Sequence, residues 1–121
     1  MPEAISIGDT CFGNCAGLKS VNIPKATVIY NSAFYKCTAL ESLDLPNLTD
    51  IRNGAFMYCK NLKALKIGYE KTNTVCTMNG DPFSSLTTIP TIYVHADLVD
   101  DYKAAPGWIN YADYITSIEN A

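Results

Sequence analysis

Ile29-Tyr30-Asn31-Ser32-Ala33-Phe34-Tyr35-Lys36-Cys37-Thr38-Ala39-Leu40-Glu41-Ser42-Leu43-Asp44-Leu45-Pro46 is the stretch on which the fold turns, because its apolar positions recur on both sides. Ile29, Phe34, Cys37, Leu40, Leu43 and Leu45 are preceded 22 residues earlier by Ile7, Phe12, Cys15, Leu18, Val21 and Ile23. They return 22 residues later as Ile51, Phe56, Cys59, Leu62, Leu65 and Ile67. Six positions therefore keep register through three copies without a slip. A fourth copy, Met78, Phe83, Leu86, Ile89, Ile92 and Val94, has the same internal spacing at an offset of 27, so five residues are inserted before it. The insertion falls in Gly68 to Thr77, whose Gly, Asn and Thr content reads as loop.

A fixed period between 20 and 29 residues carrying L-x-x-L-x-L is the signature of a leucine-rich repeat, in which each unit buries its apolar face only by stacking on its neighbours. The end of each unit alternates, with Val21, Leu43 and Leu65 inward and Asn22, Asp44 and Lys66 outward. Period two means a short strand, and equal offsets mean parallel strands in register. The segments Leu18 to Ile23, Leu40 to Leu45 and Leu62 to Ile67 are thus expected to hold strands of three or four residues, stopped by Pro24 and Pro46 in the first two. Ala33-Phe34 and Ala55-Phe56 predict tight 3-10 or helical turns that stack the phenylalanines in a column. The remaining side of each unit should be short turns and extended segments.

The unit I-x-x-x-A-F-x-x-C-x-x-L-x-x-L-x-L-P, nearly whole at Ile29 to Pro46, resembles the BspA-like leucine-rich repeat, a class found in many bacterial surface proteins. The segment Thr91 to Ala105, with Trp108 and Tyr111-Ala112-Asp113 after it, is similar to the closing segment of such arrays, so the resemblance covers about residues 4 to 118. His95 stands where the family pattern usually has proline, and the inserted residues are irregular. The expected fold is α/β: a β-rich, right-handed leucine-rich-repeat solenoid with short parallel strands, 3-10 or short helical turns and a C-terminal helical cap. One domain would span 4–118, with coils at about 4–25, 26–47, 48–68 and 74–95 and the cap at 96–118.

The closing segment reads the same way from its residues. Leu98, Val99 and Tyr102 share a helical face, with Asp97 placed to cap or complement the helix start and Pro106-Gly107 to end it. Trp108, Tyr111, Ile115 and Ile118 then form a lid over the last coil, the rival reading being an aromatic substrate pocket. The other end shows no amphipathic cap, so the edge with Ile7, Phe12 and Cys15 is expected to allow self-association, or to continue a longer array.

Composition narrows the function classes. With 121 residues, 48% hydrophobic, and 9 basic against 12 acidic side chains for a net charge of -3, the chain has no clustered positive footprint for nucleic acid. Its apolar runs fall short of the roughly 18 to 20 residues of a membrane span, and no signal-peptide pattern opens it. A secreted or cell-surface location is what the resemblance implies, with any leader lying outside this sequence.

The cysteine column Cys15, Cys37, Cys59 continues as Leu86, so that position asks for a small-to-medium apolar group, and Cys11 occupies the slot of Ala33 and Ala55. Buried free thiols are expected over a Cys11 and Cys15 metal or redox pair, because C-x-x-x-C lacks a second ligand pair. Cys76 falls opposite Thr49, and His95, the single histidine, has no placed partner for nucleophilic catalysis. No catalytic residues, cofactor or metal are expected, and the chain reads as non-catalytic.

Two faces remain as candidates for binding a protein or glycan. Ser20, Asn22, Ser42, Asp44, Lys66, Thr91 and Tyr93 point outward from the strands. Opposite charges on neighbouring rungs, Asp44 with Lys66 and Lys19 with Glu41 and Lys63, should add modest cross-strand pairing there. The alternative face holds Tyr30, Tyr35, Met57 and Tyr58, where exposed tyrosines offer rigid contact area. The family implies an adhesin-like module; a structural spacer and cap for a longer array is the other reading.

Overall fold

The computed structural model describes residues 6–8, 12–21, 23–70, 74–84, 86 and 88–121. Its strands are β1 (Ser6–Ile7), β2 (Val28–Ile29), β3 (Ser42–Leu45), β4 (Asp50–Ile51), β5 (Ala64–Ile67), β6 (Thr77–Met78), β7 (Thr91–Val94) and β8 (Ile115–Ser117). They form two parallel sheets, a shorter one in the order β1-β2-β4-β6 and a longer one in the order β3-β5-β7-β8. The longer sheet comes from the alternating segments, as expected. Its register pairs Leu43 with Leu65 and Leu65 with Ile92, so each inward residue lies on its equivalent in the next repeat.

The shorter sheet was not legible as such. Each of its strands has two residues, too few to display alternation, where turns and extended segments were expected. Ile29 faces Ile51 and Ile51 faces Met78. The last pairing fixes the offset of 27, so the inserted residues are accommodated before the fourth repeat rather than inside its pattern. Thr77 belongs to β6, and Cys76 before it is 1% exposed, so the C-terminal end of the inserted stretch is wall and not free loop. Gly68 makes the turn out of β5 at φ +56, where a Cβ would lie 2.7 Å from the Leu48 carbonyl oxygen. That approach requires glycine.

Between the sheets the chain runs through successive hydrogen-bonded turns, with Tyr35 N to Ser32 O at 3.0 Å, Cys37 N to Phe34 O at 3.1 Å and Leu40 N to Cys37 O at 3.1 Å. These turns also form a ladder between repeats: Phe12 N donates to Ala33 O, Phe34 N to Ala55 O and Phe56 N to Pro82 O. The phenylalanine column is as expected, with Phe12, Phe34, Phe56 and Phe83 at centroid spacings of 5.2, 5.7 and 5.8 Å and nearly parallel rings. Phe34 and Phe56 are fully buried. Residues 18–21 and 23 carry no strand although one was expected there, and Asn22 lies outside the described residues.

After β7 the chain changes character. A 3-10 turn (Ala96–Leu98) leads into α1 (Val99–Ala104), then a kinked 3-10 segment (Trp108–Tyr114), β8 and a last 3-10 turn (Ile118–Asn120). At its start Asp97 lies in the first turn, where it complements the helix start, while the side-chain cap is His95, whose Nδ1 accepts from the Asp97 backbone N–H at 3.0 Å. A residue can cap only from outside the first turn, and Asp97 is already inside it. The aromatic residues of this segment pack on the last repeat. Trp108 is fully buried, edge-on to Tyr102 at 5.4 Å and Phe83 at 6.5 Å, and Tyr111 meets Phe83 at 5.0 Å. Within it, β8 pairs with β7 in parallel and extends the longer sheet by one strand.

Candidate binding faces

The longer sheet supplies a face by strict alternation. In β3 Leu43 and Leu45 are buried while Ser42 and Asp44 are exposed, and in β5 and β7 Leu65, Ile67, Ile92 and Val94 are buried while Ala64, Lys66, Thr91 and Tyr93 are partly exposed. Asp44, Lys66 and Tyr93 stand side by side in register, and Thr116 of β8 continues their row. Tyr114, 43% exposed, enters β8 beside it. Thr116 and Tyr114 were missed because β8 lies outside the periodic part and has no pattern of its own.

One of the expected residues does not join this face, and another cannot be placed. Ser20 is exposed but outside any strand, and Asn22 is not among the described residues. The expected charge pairs also fail to close. Among the described residues the ion pair within 4 Å is Arg52 with Asp50, at 2.8 Å. Asp44 lies opposite Lys66, yet its Oδ1 accepts the Tyr69 hydroxyl at 2.7 Å. A neighbouring carboxylate and a short, rigid phenol make the better-defined contact than a flexible lysine. Burial first, and then the Asp44 hydrogen bond, push the Tyr69 hydroxyl up to about 12.

The tyrosine face divides in two. Tyr30 lies under the Arg52 guanidinium at 5.0 Å, and Arg52 is held in place by Asp50. Tyr35 and Tyr58 meet edge to face at 5.6 Å with the Lys36 ammonium 5.4 and 5.7 Å from their centroids. Met57 is partly buried and lies over Gly54, whose built Cβ would come within 3.3 Å of its terminal methyl. Part of its side chain therefore serves as packing against that turn. Lys36 belongs to this cluster and was missed, because a single lysine in a scattered charge pattern gives no signal.

A cleft of about 300 Å³ lies between β6 and the cap, lined by Val75, Cys76, Thr77, Met78, Ala105, Pro106 and Trp108. Its walls are mainly apolar. The Trp108 indole N–H donates to Cys76 O at 2.6 Å and Cys76 N–H donates to the Tyr102 hydroxyl at 2.8 Å, so the polar groups nearby are occupied with each other. Trp108 is thus a cap anchor, and the aromatic-pocket reading loses its main residue.

The thiols have a role that the sequence reading did not assign. Cys37 Sγ donates to Phe12 O at 3.0 Å and Cys59 Sγ to Phe34 O at 2.8 Å, joining each repeat to the one before. The position therefore uses a donor, and not only a small apolar group; Leu86 ends the column in the fourth repeat. Cys15, Cys37, Cys59 and Cys76 are free, and Cys11 lies outside the described residues. Burial pushes the Cys59 thiol up to about 12 and raises Cys37 and Cys76 as well. Such groups stay protonated at neutral pH and are poor nucleophiles. No group of three or more His, Cys, Asp or Glu side chains able to hold a metal occurs among the described residues.

Repeats of one internal spacing, paired in parallel and joined through a phenylalanine column and a cysteine column, define a leucine-rich-repeat protein. The chain belongs to the BspA type leucine rich repeat family, whose model matches in six copies over residues 1–102. That partition is finer than the four units read from register. The fold so defined is an α/β repeat fold, of a kind generally used for non-catalytic binding and typical of bacterial surface proteins. No curated protein gave a match. No helix among the described residues is long and apolar enough to cross a membrane.

Proposed function

We propose that the chain is a non-catalytic recognition module, one domain over 4–118 wound as a right-handed solenoid of four coils, and part of a bacterial surface or secreted adhesin-like protein. It binds a protein or glycan through the outer face of the longer sheet. The observation that carries this reading is the row Asp44, Lys66, Tyr93 and Thr116 with the neighbouring Ser42, Thr91 and Tyr114: charged, hydroxylated and aromatic groups on a backbone that the buried alternate residues hold rigid. Binding through preformed elements loses little conformational entropy, which favours recognition on strands over recognition on loops. A non-catalytic role is supported by thiols held protonated, by a histidine engaged as a helix cap, and by a cleft whose polar groups satisfy one another.

A second reading, a structural spacer closed by its cap, is favoured by the depth to which Trp108 and Tyr102 anchor the C-terminal segment. The two separate in one experiment. The chain is screened against extracellular-matrix proteins and glycans beside the double variant Asp44→Lys with Tyr93→Ala. Saturable binding that the variant loses supports the strand face. Binding that the variant retains places recognition elsewhere on the chain, and absence of any saturable binding favours the spacer.

A further inference from the structure

The turn preceding each column cysteine places one residue in left-handed backbone: Asn14 at φ 61°, Lys36 at 58° and Tyr58 at 64°. The repeat geometry imposes this conformation, since it recurs at the same position in three units. Asparagine adopts it readily, whereas for long or aromatic side chains it is an outlier. Lysine and tyrosine therefore occupy positions where glycine or asparagine would be relaxed. Strain of this kind persists where the surrounding structure over-determines it, and it clusters at functional sites.

The side chains so placed meet. The Lys36 ammonium lies 5.4 Å from the Tyr35 ring centroid and 5.7 Å from that of Tyr58, and the two rings stand at 63° to each other. The comparable pair, Arg52 over Tyr30, is neutralised by Asp50 at 2.8 Å. Lys36 has no carboxylate within ion-pair distance among the described residues, and neither the Tyr35 nor the Tyr58 hydroxyl has a hydrogen-bond partner there. Tyr58 is 43% exposed. An uncompensated cation in a chain of net charge -3 is thus held between two rings whose outer rims carry hydroxyl groups.

These features restrict the ligand. A protein partner needs roughly 800 Å² on each side, several times what two rings and one lysine offer. A nucleic-acid backbone needs several clustered cations, and here there is one. The carboxylate of an acidic peptide ends a flexible stem and brings no rigid apolar body to the rings, so its ordering opposes binding. A carboxylated pyranose has the matching parts: one anionic group fixed to a rigid ring that presents C–H bonds on its face and hydroxyls at its rim. We infer that Tyr35, Lys36 and Tyr58 form a binding site for a uronic acid unit of a glycan, its carboxylate on the Lys36 ammonium, its C–H face on the tyrosine rings and its hydroxyls at the phenol oxygens. This site shares no residue with the strand face, so the two stand or fall separately.

The test is a titration of the intact chain with a galacturonic acid tetramer, followed through the tyrosine ring signals by NMR. A neutral galactose tetramer and tetraglutamate serve as comparisons. Two variants accompany it: Lys36→Gln, and Tyr58→Gly, which removes the ring at a position whose backbone suits glycine. Saturable shifts with the galacturonate tetramer, weakened at least about tenfold by Lys36→Gln and abolished by Tyr58→Gly in a chain with unchanged circular dichroism, are the expected result. Absence of saturation up to about 10 mM overturns the proposal. So does equal binding of tetraglutamate, which would mean that charge alone is read, or of the neutral tetramer, which would leave Lys36 idle. Should Tyr58→Gly fail to fold, Lys36→Gln decides by itself: wild-type affinity in that variant overturns the site.

Discussion

The stacked repeats and the C-terminal cap satisfy their polar groups in different ways. In the repeats a ladder of backbone groups finds its counterparts one unit away, as Phe34 N does at Ala55 O and Arg52 N at Ile29 O. The cap joins β7 through β8, and its other anchors are single side-chain contacts: Trp108 Nε1 to Cys76 O, Cys76 N to the Tyr102 hydroxyl, the Tyr111 hydroxyl to Asp81 Oδ1 at 2.6 Å. A repeat tolerates local change because its neighbours supply the same pattern again. The side-chain anchors of the cap have no second copy.

The sharpest way to break this contrast is Trp108→Ala. Removing a fully buried indole from between Tyr102 and Phe83, with the Cys76 carbonyl left without its donor, should cost about 3 to 5 kcal/mol by urea denaturation. The cap should detach first, seen as loss of hydrogen-exchange protection in β8 before β5. Uniform loss in both strands would mean that cap and repeats unfold as one unit and that the distinction drawn above has no energetic content.

Alkaline pH strikes both regions together. The unperturbed Cys59 thiol and Tyr69 hydroxyl would titrate at 9.0 and 10.0, and in the fold both are raised to about 12, chiefly by burial. Tyr102 and Tyr111 in the cap are raised too, and so is Cys76 beneath it. A raised acid of this type favours the protonated folded state, so its contribution is fully present below the unfolded value and disappears as pH rises through the folded value. Stability should therefore be level up to about pH 9 and decline steadily between 9 and 12, read as a falling thermal midpoint. A midpoint independent of pH across that window would show that these groups are solvated in the native state.

Much of this architecture was legible in the sequence, and what was not has physical reasons. Six apolar positions in fixed register revealed the repeat, the longer sheet and the phenylalanine column, because stacking forces every unit to obey one pattern. The shorter sheet was hidden because two-residue strands such as Val28–Ile29 show no alternation. β8 was hidden because one strand cannot be periodic. Of the candidate faces, the alternation around Asp44 and Lys66 could be read directly, but the partner of Asp44 could not: Tyr69 is 25 residues away in a turn, and contact across a turn leaves no trace in register. Lys36 was passed over for a similar reason, since its cation–π contacts depend on a left-handed backbone that spacing does not reveal.

The thiol column sharpens the comparison from the repeat side. An apolar account of Cys59 predicts that alanine is the better replacement and serine the worse, because a hydroxyl would be buried at 0% exposure. The Sγ donor to Phe34 O at 2.8 Å predicts the reverse, since serine retains a donor and alanine removes it. Cys59→Ser should then be more stable than Cys59→Ala by about 0.5 to 1.5 kcal/mol. Calorimetry on the two variants ranks them directly, and an alanine advantage would return the column to simple packing.

The smallest effect lies on the strand face, and it bears on function more than on stability. Tyr69→Phe removes the hydroxyl from Asp44 Oδ1 while keeping the ring. Because Asp44 is exposed and water can replace the lost donor, the fold should change by less than about 1 kcal/mol. The freed carboxylate would then be available to Lys66, which lies opposite it in register. If Tyr69 orients Asp44 for a ligand, binding on this face should weaken severalfold in Tyr69→Phe while the thermal midpoint stays within a few degrees of wild type. If the bond only ties the turn after β5 to the sheet, the order is inverted, with the midpoint falling and the affinity of the folded chain unchanged. Measuring both quantities on one variant separates a prepared binding surface from a decorated structural one.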